Sequence, residues 1–480
     1  MNMSVTTTIS RRRRSLFLGA GLICCMASTA SWGAARGEVS TADYPSLQAA
    51  IDANPGGAIV VPAGDHPIDK PVVINTNGTV LTGFGRILQT NNDAAIVRVE
   101  NASDVVLRDL TLARAADAED TAQPGVYLED TKNVRVEGVK VIDNHSYAGS
   151  IRLRNCSNAC IENCYVLNYK RIGIDDRTRS PELGYAFQCI DGTGISVGDC
   201  VGTMILNNRV IEQRLLPTRE NMEKYGLGKL IEGKMPTKFG PLGLWVEKAG
   251  MAKHWHQGSA ILVSGPEKTT FSRISGNYIE NAAQGMDIHS DNFICTENTV
   301  NRGMMGMKAM HGSRYGIIAR NIFSHVDNWG IMLGPGTASH AAQAAAGEKP
   351  ARTSNSDGSI IVANNVISDF GRGLEFWNWA GDGPDAASTA VFRFERGQEA
   401  TNPPLSNVLV EGNIITNSED ELGPNGEAIH PKPRYNYAVL IDAAPKESKE
   451  LHYPVNIKVI DNLFIAGQQG VSNVPIPQSR

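Results

Sequence analysis

Apolar and polar positions along this chain fall into short runs that recur with a period of about 22 residues. One phrase places β-branched or apolar residues before an Asn and further apolar residues after it. It occurs at 273–279 around Asn277, at 294–300 around Asn298 and at 317–323 around Asn321, with the Asn residues 21 and 23 positions apart. Later copies around Asn365, Asn413 and Asn462 follow at gaps of 44, 48 and 49, which fit two coils or one coil carrying an insertion. Asn at the same turn of successive coils can stack and bond to its neighbours' backbone. A second phrase, Gly and then a short strand, comes after the first: 285–289, 306–310, 330–333 and 373–377, with earlier versions at 125–129, 150–154 and 173–177. Two strands per coil with no helix between them exclude βαβ units. An antiparallel sandwich needs hairpin turns every 8–12 residues or so and has no reason for this period. The expected fold is all-β: a single-stranded right-handed parallel β-helix.

Strand alternation then sorts side chains between core and surface. In the second phrase Met286, Ile288, Met307, Ala309, Ile331, Leu333, Leu374 and Phe376 point inward, and the residues between them face solvent. Stacked coils turn these into two outward columns. One reads Tyr127, Arg152, Asp175, Asp287, Lys308, Met332, Glu375; the other reads Glu129, Arg154, Arg177, His289, Met310, Gly334, Trp377. Arg, Lys, His and carboxylates thus share one sheet face, with His311, Arg314 and Tyr315 at the next turn. Insertions interrupt the repeat near 214–256, 335–357 and 382–404, and long loops on a rigid scaffold mark binding or catalysis.

Composition agrees with many short strands: 48 Gly and only 6% aromatic residues. A net charge of −5 supplies no reason to expect a nucleic-acid partner. Residues 1–35 read as a cleaved signal peptide, with Arg11 to Arg14 before a short apolar run and then small residues. The Arg pair followed by Ser15, Leu16 and Phe17 is twin-arginine-like, which implies a periplasmic or secreted protein with no membrane span after cleavage. Cys156, Cys160 and Cys164 lack the paired spacing of a zinc site and read as small buried hydrophobes.

Within 36–70, Tyr44 to Asp52 forms one amphipathic helical pattern and Gly56 to Gly64, including Val61-Pro62-Ala63-Gly64, a strand and turn. This resembles the N-terminal cap and first coil of the pectate-lyase-like superfamily, with 71–480 as the β-helix body. The stretch Gly285-Met286-Asp287-Ile288-His289 is also similar to the Asp-Pro-His segment of mannuronan C5-epimerases, themselves parallel β-helices. That resemblance carries the motif's acid and His onto Asp287 and His289; Ile288 stands in place of its Pro, and Gln284 where its Tyr is expected.

The residues and the resemblance together point to a polysaccharide or oligosaccharide substrate, and first to β-elimination on a uronate polymer. The C5 proton of a uronate leaves only when the adjacent carboxylate is neutralised. Arg152, Arg154, Arg177 and Arg314 can bind carboxylates; Lys308 or His289 can serve as base and His311 or Tyr315 as acid. Trp377 offers a stacking surface, and Asp175, Asp287 and Glu375 could hold Ca²⁺, although no ordered calcium motif accompanies them. The alternatives are C5 epimerisation, a glycoside hydrolase using paired carboxylates such as Asp175, Asp287 and Glu375, and a non-catalytic glycan-binding or adhesion β-helix.

Overall fold

The computed structural model describes residues 37–115, 120–172, 190–214, 258–371, 390–397, 401–417, 433, 435–443 and 452–476, the side chains of 172, 190, 327 and 328 excepted. Residues 1–35, read above as a signal peptide, lie outside them. Among the described residues no helix is long and apolar enough to cross a membrane.

The chain from Glu38 onward winds as a right-handed parallel β-helix. Thirty-one strands join in one continuous sheet, and their pairings, such as Ile274 with Cys295 and Ile317 with Ile361, are parallel and in register. A short helix, α1 (Leu47–Ala53), closes the first coil; Ser46 caps it by accepting a bond from the Ala49 N–H, and Leu47, Ala50 and Ile51 are buried. Gln48 stitches this cap to the first coil, donating to the Val73 carbonyl and accepting from the Val73 N–H at 3.0 and 2.8 Å.

The Asn phrase is the corner between two faces of the solenoid. Asn208, Asn277, Asn298, Asn321, Asn365, Asn413 and Asn462 form one ladder, each accepting both the backbone N–H and the side-chain N–H of the Asn before it at 2.8–3.0 Å. Cys164 precedes Asn208 in the ladder, donating its N–H at 2.9 Å. The residue ahead of each Asn takes a left-handed conformation, as at Gly276 and also at Glu297 and Arg320, so the corner turns sharply while its ladder bonds satisfy buried amides. The gaps of 44, 48 and 49 residues are single coils carrying insertions.

The face that matters for function is built from β1 (Ile151–Arg154), β2 (Ile195–Gly198), β3 (Ser259–Ser264), β4 (Tyr278–Ile288), β5 (Thr299–Met310), β6 (Ile322–Gly334) and β7 (Ala390–Phe394). Their inward residues, among them Ile261, Val263, Met286, Ile288, Met307, Ala309, Ile331, Leu333, Phe392 and Phe394, are completely buried. At about 1.5–3 kcal/mol for each large apolar side chain, this stack fixes which residues must face out.

Two coil assignments differ from the sequence reading. The strand after β1 is β2, not 173–177: Arg171–Ile172 and Ile190–Asp191 pair antiparallel as the base of an excursion from the coil. The strand after β6 is β7, which lies within the expected 382–404 insertion, and not 373–377. In both places a Gly-led phrase at the right spacing competes with a later run (Ile195-Ser196-Val197, Val391-Phe392-Arg393-Phe394) that alternates equally well. The later run is the one that pairs with the preceding coil, and 173–177 and 373–377 lie outside the described residues. The 335–357 insertion holds antiparallel bridges of its own, His340 with Asn355 and Gln343 with Arg352.

Candidate functional site

Register now sets the outward columns. The first runs Arg98, Tyr127, Arg152, Ser196, Leu262, Asp287, Lys308, Met332, Arg393, Leu440. The second passes through Glu129, Arg154, Gly198 and Ser264; His289 follows β4, Met310 pairs with Gly334, and Glu395 packs against Gly334. Ser196 and Gly198 therefore stand where Asp175 and Arg177 were expected, and Arg393 and Glu395 where Glu375 and Trp377 were. Asp175, Arg177, Glu375 and Trp377 lie outside the described residues.

Asp287, His289, Lys308 and His311 do come together. Lys308 Nζ is 3.1 Å from Asp287 Oδ2, a pair made across adjacent coils, and His289 Nε2 is 2.8 Å from Oδ1 of the same carboxylate. The His289 contact is close but off the hydrogen-bond axis, since neither atom meets a partner in aligned geometry. The His311 ring meets the His289 ring edge-on, centroids 4.4 Å apart. Although it points outward, Asp287 is only 4% exposed, and Met332 in the same column 3%. The expectation that outward residues are solvated fails at these two positions.

Burial alone would raise the Asp287 carboxyl, but the facing charges of His289 and Lys308 outweigh it and hold the group well below the usual carboxylate range. Burial also pushes the His311 imidazole down to about 3, and the charges of His289 and Lys308 act in the same direction. His311 is therefore neutral at physiological pH, with Nδ1 accepting the Ala338 N–H at 3.4 Å. Leu262 and Met332 bracket the Asp287–Lys308 pair along the column, so the charged pair sits between apolar neighbours.

Arg152 and Arg154 line a cavity of about 460 Å³ that reaches Asp287, with Tyr147, Ser196, Leu262 and Ser264 in its walls. Arg154 is well exposed, whereas the Arg152 guanidinium lies 5.7 Å from the centre of the Tyr127 ring. Tyr315 is set apart: it lies in the strand Arg314–Ala319 after the Gly312–Ser313 corner, is 56% exposed, and its ring meets Arg314. Arg314 is held by Asp291 and the Ser354 carbonyl at 2.9 and 2.6 Å, so it anchors the 335–357 insertion. Of the three carboxylates considered for Ca²⁺, only Asp287 is described, and its oxygens already lie against Lys308 and His289. Among the described residues no group of three His, Cys, Asp or Glu side chains surrounds a possible ion position.

Three residues escaped the sequence reading. Arg393 and Glu395 are ion-paired at 2.6 Å at the far end of the column, and burial raises the Glu395 carboxyl. Burial likewise pushes Asp357 up to about 7, against bonds donated by Ser339, Gly312 and Ser313. Alternation in 391–394 could have found Arg393. Nothing in the sequence marks Asp357 as buried.

No protein-family model matches this chain, and no curated protein matches it. Solved structures resemble it in fold. The A-module of the mannuronan C-5 epimerase AlgE6 from Azotobacter vinelandii aligns over 92% of this chain and 97% of its own at 13% identity, with a TM-score of 0.49. An exopolygalacturonase from Thermotoga maritima aligns over 79% and 88% at 11% identity (TM-score 0.46), and the alginate lyase AlyF-OU02, solved in complex with G6, over 89% and 79% at 11% identity (TM-score 0.43). At these identities the likeness is one of solenoid architecture.

Proposed function

We propose that this chain is an exported polysaccharide-active enzyme, a lyase that cleaves an acidic, uronate-containing polysaccharide by β-elimination. The observation that carries this reading is the buried Asp287 carboxylate held from its own strand by His289 and from the next coil by Lys308, with neutral His311 alongside. An open strand face carrying one outward side chain about every 4.8 Å suits a linear polymer. Arg152 and Arg154 supply bidentate partners for its carboxylates.

In this mechanism the Lys308 ammonium neutralises the carboxylate of the reacting sugar, which acidifies its C5 proton. Asp287 orients His289, whose other ring nitrogen, Nδ1, takes that proton. The electron pair forms the C4–C5 double bond, the C4–O4 bond breaks, and the His311 Nε2–H protonates the departing O4. The proton taken by His289 passes back to His311, which restores both rings. Return of a proton to C5 from the opposite face would make the same site an epimerase.

A hydrolase reading has one observation in its favour: Asp287 is held down while Glu395 is pushed up, as paired glycosidase carboxylates are. Distance counts against it. The register from Asp287 through Lys308 and Met332 to Arg393 spans three strand spacings, about 14 Å, beyond the roughly 6.5–9.5 Å that an inverting pair uses.

Incubation of the mature protein with alginate, pectate, glucuronan and a neutral glycan tests the reading. New ultraviolet absorbance from an unsaturated uronate supports the lyase. Reducing ends without it mean hydrolysis, and an altered uronate ratio in NMR with no new chain ends means epimerisation. If Lys308→Ala and His289→Ala both left full activity, the assigned site would be wrong. Recovery of the chain from the periplasm or medium, without its first 35 residues, tests export.

A further inference from the structure

The 335–357 insertion returns to the solenoid at Asp357, and the contacts there are unusual for the position. An inner column of small polar side chains runs along this corner, each accepting the backbone N–H of the coil before it. Cys200 accepts from Cys156, Thr269 from Cys200, and Ser313 from Ser290, at 3.2–3.4 Å. The next rung is Asp357, 1% exposed, whose Oδ1 accepts the Ser313 N–H at 3.0 Å. A Ser or Thr would complete that rung. The carboxylate adds acceptors, and they are used: the Gly312 N–H reaches both oxygens at 3.0 and 2.9 Å, and Ser339 Oγ donates to Oδ2 at 2.5 Å.

Gly312 and Ser313 thus present consecutive N–H groups to one anion, a backbone nest. The nest exists because His311 and Gly312 both have positive φ, 60° and 100°, a conformation that a residue such as His holds only when its surroundings enforce it. The insertion also lies directly on the His311 ring. A Cβ on Gly336 would fall 2.1 Å from His311 Nδ1. Ala338 N–H points at the same nitrogen at 3.4 Å, and buried Asn355 donates to the carbonyls of both His311 and Ala338 at 3.0 Å.

We propose that Asp357 is a positioning residue: seated in the Gly312–Ser313 nest, it clamps the 335–357 insertion onto the His311 corner and so holds the imidazole in its Nε2–H form. Ser339 ties the clamp to the segment bearing Gly336 and Ala338, and these two shape the Nδ1 side of the ring. The consequence for turnover rests on the role of His311 as proton donor, but the tautomer does not.

Long-range ¹⁵N–¹H spectra of the full chain labelled at His, with the His311 signals identified by their loss in His311→Gln, read the tautomer directly. The expected wild-type result is a protonated Nε2 and a bare Nδ1 near neutral pH. In Asp357→Asn the ring should average between tautomers, and in Asp357→Ser, which keeps the rung but lacks the clamp, it should do the same. On whichever polymer the wild type cleaves, both variants should lose about ten- to a hundredfold in kcat with little change in KM. Should the Asp357 variants not fold, Gly336→Ala carries the test, because it leaves the carboxylate in place and pushes a methyl onto the ring. A wild-type Nδ1–H tautomer would overturn the proposal, as would an unchanged Nε2–H signal in a folded Asp357→Asn protein or in Gly336→Ala. If the wild type shows the expected tautomer but acts on no uronate polymer, the clamp stands and the lyase reading fails.

Discussion

Two stacks of polar side chains run along the same solenoid, one at the Asn corner and one on the outward face through Asp287 and Lys308. Both have a coil-by-coil rise, and both are buried at their centres. In the Asn ladder every rung is the same neutral group, so each amide donates to the next and accepts from the one before, and bonds repeat from Asn208 to Asn462. In the outward column the rungs differ: Leu262, Asp287, Lys308, Met332, Arg393. Charge is paired only where a carboxylate meets a cation one coil away, and the apolar rungs on either side leave the pair with few other partners. Repetition of one group makes a structural element, whereas unlike groups at the same spacing make a site in which charge is concentrated and shielded from water.

The comparison breaks most sharply under substitution. Asn298→Ala strands the backbone and side-chain N–H groups of Asn277; at about 1–3 kcal/mol for each buried donor, stability should fall by about 4 kcal/mol, measurable by urea denaturation. Lys308→Ala should instead lower turnover per folded molecule at least about a hundredfold in the ultraviolet assay, an effect Asn298→Ala should not have. Leaving Asp287 buried without its cation also lowers stability, by about 3–5 kcal/mol. If the two variants exchanged phenotypes, the division between structural and chemical stacks would be wrong.

Acid should sharpen the contrast, since the ladder does not titrate and the site does. The folded chain keeps His311 unprotonated down to about pH 3, and the unfolded chain takes that proton near pH 6.5. Between those values the unfolded state binds the extra proton, so stability is full above about pH 6.5 and declines as pH falls. Buried His145, also pushed down to about 3, adds to the same decline. The Asp287 contribution is present above the ordinary carboxylate range and is lost only in stronger acid, as pH falls through its depressed folded value. His311→Gln should flatten the loss between about pH 6 and 4, and an unchanged slope would mean that His311 titrates normally. The smallest effect is expected at the Arg320–Glu297 pair, 61% and 54% exposed beside the Asn ladder; Arg320→Ala should change stability by less than about 0.5 kcal/mol.

Much of this was legible in the chain. The period of the Asn phrase identified six of the seven rungs, Asn277 to Asn462, because each rung must be the same amide to satisfy the next; Asn208, before the long 214–256 interruption, was missed. The adjacency of Asp287, His289 and Lys308 followed from strand alternation plus one coil of spacing. The strands that pair next on this face are Ile195–Gly198 and Ala390–Phe394 rather than 173–177 and 373–377, because a Gly-led phrase at the right interval is only a local signal and does not fix which run the next coil pairs with. Arg393 and Glu395 were missed for the same reason. Asp357 was invisible because its partners, Gly312, Ser313 and Ser339, lie on both sides of an insertion with no period.

By itself, then, the sequence determined the solenoid, its Asn corner and the pairing of Asp287 with Lys308, since these depend on interactions between neighbouring coils that a repeat encodes directly. Tertiary structure alone decided which later strand completes the face, that Asp287 is buried although it points outward, and that the 335–357 insertion folds back onto His311. Those outcomes depend on how non-repeating segments compete for core volume and for the nest at Gly312 and Ser313, and no period in the chain carries that information.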